Sequence, residues 1–130
     1  MKNPLTEKYE RWFKRNAIGE QKESEGKFED AIRMYEANID EGAYTLFPYE
    51  RLAILYKRKK DARNEQRIIK KAIKKLHERS SKKPLDSYLF NLLTSLQRRL
   101  ADMSEDTSDF LHFEDRWAKK RLPYWLNSSL

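Results

Sequence analysis

Apolar residues recur at three- and four-residue steps along almost the whole chain, and only three glycines and four prolines interrupt them in 130 residues. That spacing places apolar side chains on one face of an α-helix, and the shortage of turn residues leaves few places to connect elements of any other kind. The chain therefore reads as all-α, with about six helices. Six Phe, three Trp and seven Tyr supply core material that disordered chains lack, so the low mean hydropathy reflects charged helix faces rather than an unfolded segment.

Local signals divide the chain. Asn3 before Pro4 reads as a cap with proline in the first turn, opening a helix that presents Tyr9, Trp12, Phe13, Ala17 and Ile18 and ends near Gly26. A second helix over 27–41 places Phe28, Ala31, Ile32, Tyr35 and Ile39 on one face, with Gly42 as terminator. Pro48 starts a third, which carries Leu52, Ala53, Leu55 and Tyr56 and stops near Lys59. Asp61 is placed to cap a fourth, with Ile68, Ile69, Ala72, Ile73 and Leu76 on one side and Arg63, Arg67, Lys70, Lys71 and Lys74 on the other. After "SSKKPLD" comes a fifth helix with Leu85 and Leu92, whose Leu89, Leu93, Leu96 and Leu100 are expected in the core. A sixth, with Phe110, Phe113 and Trp117, follows "MSEDTSD" and should end at Pro123. Short connections between six helices imply three antiparallel pairs in one domain.

Sliding the sequence by 34 residues brings Ile18-Gly19 onto Leu52-Ala53, Phe13 onto Phe47, Tyr35 onto Ile69 and Ile39 onto Ile73. Small residues such as Gly19, Ala31, Ala53 and Ala72 let helix backbones approach, while Tyr35, Tyr56 and Ile69 fill the space between helices. At these positions the chain resembles the tetratricopeptide repeat family, whose unit is a helix, a turn and a second helix. Leu52, Ala53 and Tyr56 match that family's first helix, and Ala31 and Tyr35 its second. Lys22 and Asn38 depart from it, standing where an aromatic and a small residue are expected. The resemblance covers roughly 12–79, as repeats over 12–45 and 46–79. It implies a short right-handed solenoid of stacked helix pairs, with 83–122 as a capping or degenerate third pair.

The same resemblance implies a function. In that family the first helix of each repeat lines a groove for an extended peptide or a partner's helix. The matching positions are Phe13, Asn16, Glu20 and Glu23, then Phe47, Glu50, Ile54, Lys57 and Arg58. Glu20 and Glu50 argue against a clamp for a carboxylate. A ligand with an apolar anchor and basic groups suits this half, with Lys57 and Arg58 meeting an acid at the far end.

Charge supplies the alternative. The chain carries a net +7, yet 51–83 holds fourteen Lys or Arg against Asp61, Glu65 and Glu78, whereas 20–41 holds eight acids against three cations. Arg63, Arg67, Lys70, Lys71 and Lys74 recur at helical spacing, where they could meet nucleic acid or an acidic partner. They are equally the solvated face of an amphipathic helix, or a contact for the acidic half or a second copy. Catalysis has no constellation to stand on. Cysteine is absent, His77 and His112 lack metal-ligand spacing, and there is no phosphate-binding glycine loop. The expectation is an adaptor without enzyme activity or cofactor, bound to a protein or peptide. No apolar run approaches the roughly 20 residues that span a bilayer, and the N-terminus lacks the apolar stretch of a secretion signal. A soluble, cytoplasmic protein is expected. The tail "LPYWLNSSL" either seals the last helices or, left exposed, favours self-association.

Overall fold

Asn3 takes extended backbone and its side chain accepts a hydrogen bond from the Leu5 amide at 2.8 Å, so the first helix starts where the cap and Pro4 dictate. In the computed structural model, which describes residues 3–103, that helix is α1 (Pro4–Ser24). It is followed by α2 (Phe28–Asp40), α3 (Phe47–Arg58), α4 (Ala62–Ser80) and α5 (Ser87–Met103). The described residues are all-helical, without a strand. They hold five helices where six were expected. The sixth, with Phe110, Phe113 and Trp117, lies outside the described residues, as do His112 and the apolar tail over 123–130.

One turn is used three times. After α1 the Gly26 amide bonds to the Glu23 carbonyl and the Lys27 amide to Lys22; after α2, Gly42 bonds to Ile39 and Ala43 to Asn38; after α3, Lys60 bonds to Lys57 and Asp61 to Tyr56. Each pair closes its helix with a left-handed residue, at φ 76° for Gly26 and Gly42 and 59° for Lys60. The run of charge at 57–61 is thus a helix ending and a turn, and Asp61 then caps α4 by accepting from the Asn64 amide at 3.2 Å. Lysine is the poor choice of the three, because its Cβ crowds the carbonyl in this conformation. Lys60→Gly should therefore stabilise the chain by about 0.5–1 kcal/mol, net of the entropy glycine adds to the unfolded state. The measurement is the urea midpoint at unchanged slope, and a lowered midpoint would refute the assignment.

The chain divides into two units, Met1–Ile68 and Ile69–Leu130, with the boundary inside α4 and inside the second expected repeat. In the first unit α2 packs against both α1 and α3. Contacts run in opposite senses along each pair. Arg11 meets Glu41, Asn16 meets Asn38 and Glu23 meets Tyr35, so α1 and α2 are antiparallel. Tyr35 lies against Phe47 while Lys59 reaches back to Glu29, so α2 and α3 are antiparallel too. It follows that α1 and α3 point the same way. The core here is Trp12, Ala31, Ile32, Tyr35, Ile39, Ala43, Leu46, Tyr49, Leu52, Ala53, Leu55, Tyr56 and Ile68.

In the second unit Ile69, Ala72, Ile73 and Leu76 of α4 are buried, as are Leu93, Leu96 and Leu100 of α5, while Leu89 is half-buried. His77 is buried as well.

Two expected faces need correction. On α1 the buried stripe is Trp12, Asn16 and Gly19, while Tyr9, Phe13 and Ala17 are exposed. Beyond Trp12 the stripe is selected by what α2 offers, an amide at Asn38 and a ring at Tyr35. Phe28, expected on the inner face of α2, is 38% exposed at the first residue of that helix.

Candidate functional site

Three acids tie the helices of the first unit together. Glu23 of α1 accepts a hydrogen bond from the Tyr35 hydroxyl of α2 at 2.6 Å and from Arg51 Nε of α3 at 3.0 Å. Glu36 of α2 accepts from the Tyr56 hydroxyl of α3 at 2.8 Å and pairs with Arg67 of α4. The two clusters share one plan, in which a glutamate meets a tyrosine from the next helix and an arginine from the helix after that. Each ties three successive helices together. Burial works to raise the pKa of Glu23, but the hydrogen bonds from Arg51 and Tyr35 outweigh it and hold the carboxyl below its ordinary range. Burial, then the Glu23 hydrogen bond, pushes the Tyr35 hydroxyl well up; burial and Glu36 do the same to Tyr56. Both phenols stay protonated and remain donors.

The third acid closes the other end of the α1–α2 pair. Glu41 accepts from Arg11 at 2.6 Å and from Arg15 at 2.5 Å, and these two, Arg11 first, hold its pKa at about 2. Beside them Tyr9, Trp12 and Tyr44 form an aromatic cluster with ring centroids 5.2–6.0 Å apart. The Lys8 ammonium lies 5.3 Å from the Trp12 ring centroid.

These internal contacts sort the nine groove positions. Asn16 is buried, and its side-chain oxygen accepts from Asn38 Nδ2 at 2.9 Å. Glu23 is only 10% exposed at its side chain and is engaged by Tyr35 and Arg51. Both face inward, so neither is a surface group. Phe47 makes a T-shaped contact with Tyr35, ring centroids 5.9 Å apart, and is half-buried, as are Glu50 and Ile54. Phe13, Glu20, Lys57 and Arg58 are exposed.

Their positions along the helices are informative. Glu23 and Arg51 join the parallel helices α1 and α3. At about 1.5 Å per residue, Phe13 lies roughly 15 Å before that junction and Arg58 roughly 10 Å after it. An exposed ring therefore stands at one end of this face and a pair of cations at the other, with Glu20 roughly 5 Å before the junction. Half-buried apolar groups, Phe47 and Ile54, lie between the ring and the cations.

The basic set on α4 separates in the same way. Arg67 is held by Glu36 and by Asn64, whose side-chain oxygen accepts at 3.0 Å. Arg63 is exposed, and so are Lys70, Lys71 and Lys74 in the second unit. Among the described residues no group of three His, Asp or Glu side chains could hold a metal ion, and no helix is long and apolar enough to cross a membrane.

Sequence reasoning missed Arg51, Tyr35, Glu36, Tyr56 and Arg67 as a connected set. Their partners stand 12 to 31 residues apart, beyond the three- and four-residue spacing at which charge pairs can be read from a helix. The 34-residue offset does not reveal them either, since Glu23 falls on Lys57 and Glu36 on Lys70. Comparison with protein-family models, curated proteins and solved structures finds no match to this chain.

Proposed function

We propose that the chain is a non-catalytic adaptor whose α1–α3 face binds a peptide or a partner's helix, with its helix pairs stacked in the right-handed manner of the tetratricopeptide repeat family. The observation that carries this reading is Phe13, 63% exposed on a helix whose other large aromatic at mid-length, Trp12, is buried. An exposed ring of that size is costly to hydrate and is the kind of anchor on which interfaces concentrate their binding energy. Glu20, about two turns further along α1, and Lys57 and Arg58 at the far end would orient a ligand that carries a basic group after its apolar anchor and an acidic group beyond it. Two features support the stacked arrangement: the close approach of Gly19 to the Tyr35 ring, and the left-handed turn repeated after α1, α2 and α3.

The test is affinity capture from the native cell with wild type, Phe13→Asp, and the double variant Ile54→Glu, Lys57→Glu. All three are expected to show the same helical circular dichroism, since these side chains are exposed or half-buried. Proteins recovered by wild type should be lost from both variants. Recovery of the same set by all three would show that this face is not the binding surface.

A further inference from the structure

The balance of acids and cations changes at residue 68. Between Arg11 and Arg67 acids are nearly as numerous as cations and hold seven of them: Arg11 and Arg15 on Glu41, Lys27 on Glu25, Arg33 on Asp30, Arg51 on Glu23, Lys59 on Glu29, and Arg67 on Glu36, while Lys57, Arg58 and Arg63 are exposed. Over 69–83 there are seven Lys or Arg and one acid, Glu78. Lys70, Lys71 and Lys74 are exposed there, away from the buried Ile69, Ala72, Ile73 and Leu76, and none of the three makes an ion pair with a described residue.

A merely solvated helix face intersperses signs, because an acid three or four residues from each cation stabilises the helix and like charges at that spacing destabilise it. Lys70 and Lys74 stand four apart, and Lys71 and Lys74 three apart, while the one acid within reach, Glu78, stands four beyond Lys74 and makes no ion pair with it. This face therefore carries repulsion that an external polyanion would relieve. Two further properties indicate its kind. The exposed side offers no aromatic or aliphatic anchor of the sort on which protein partners depend. It also uses lysine, a point charge on a flexible stem, where fixed bidentate recognition would favour arginine. Phosphate backbones ask for charge alone and release counterions when they receive it. We propose that Lys70, Lys71 and Lys74 make a sequence-independent contact with the phosphate backbone of a nucleic acid.

The test is fluorescence anisotropy of the full chain with a labelled random-sequence DNA duplex. It compares wild type with Lys70→Gln, Lys71→Gln, Lys74→Gln and the triple variant, for glutamine keeps helix propensity close to that of lysine. Three phosphate contacts contribute about 2.7 to the slope of log affinity against log salt, or about 40-fold in affinity between about 50 and 200 mM salt. Wild type should show a slope at least that large, each single variant should lose about 0.9 of it, and the triple variant about 2.7. Failure to retain the duplex at about 50 mM salt overturns the proposal, as does an undiminished slope in the triple variant. Poly-glutamate that displaces the duplex at equal charge concentration also overturns it, by assigning the face to an acidic protein.

Discussion

Gly19→Ala destabilises the chain by about 2 kcal/mol, even though alanine is the better helix former by up to about 1 kcal/mol. Gly19 is buried inside α1, and a Cβ built there would stand 2.5 Å from Tyr35 Cε1, 2.6 Å from Cζ and 3.0 Å from the hydroxyl. No real Cβ sits so close, so the ring would have to move. It has little freedom to do so. Tyr35 is fully buried, its hydroxyl is bound to Glu23 at 2.6 Å, and its ring makes a T-shaped contact with that of Phe47. Overpacking of this kind costs about 1–3 kcal/mol and sometimes more, which outweighs the propensity gain. The measurement is chemical denaturation of four chains: wild type, Gly19→Ala, Tyr35→Leu, and the two changes together. Tyr35→Leu removes the atoms that the new methyl would strike, so in that background Gly19→Ala should be neutral or stabilising. If the alanine costs the same in both backgrounds, the close approach of α1 to α2 is not what makes glycine necessary.

The glycine also shows what was legible beforehand and why. Its smallness could be read from the 34-residue offset, which pairs Gly19 with Ala53. Local features were legible for the same reason, since each depends on residues within one turn. Asn3 and Asp61 cap the helices they were expected to cap, and the buried face of α4 is the expected Ile68, Ile69, Ala72, Ile73 and Leu76. The inner face of α1 was legible only at Trp12. Apolar spacing pointed to Tyr9, Trp12, Phe13, Ala17 and Ile18; Trp12 is buried and Ile18 half-buried, but the helix also turns a polar Asn16 and a bare Gly19 inward because Asn38 and Tyr35 receive them. A stripe defined by the partner helix leaves no apolar period on its own helix. The Glu23 and Glu36 clusters were hidden for the same reason, each needing side chains from three helices. Of the groove positions, sequence could name the residues but could not tell that Asn16 and Glu23 are held from within.

Asn38→Ala sets the resemblance and the structure against each other. By the repeat pattern this position takes a small residue, so alanine should be accepted or even stabilise. The structure makes the opposite prediction, a loss of about 2–4 kcal/mol from stranded polar partners and an unfilled space. Asn38 is fully buried, donates to the Trp12 carbonyl and to the Asn16 side-chain oxygen, each at 2.9 Å, and accepts from Arg15 at 3.3 Å. Arg15 keeps Glu41 after the change, but the Asn16 oxygen is left buried without its donor. Removing both ends should therefore cost less than the sum. Asn16→Ala alone is expected to lose about 1–2 kcal/mol, and the double variant should fall short of additivity by about 1 kcal/mol or more. Urea denaturation of the two single variants and the double decides between the readings. Stability unchanged or raised in Asn38→Ala would mean that the repeat consensus governs this position. A strictly additive double variant would mean that the two amides, though adjacent, do not depend on each other.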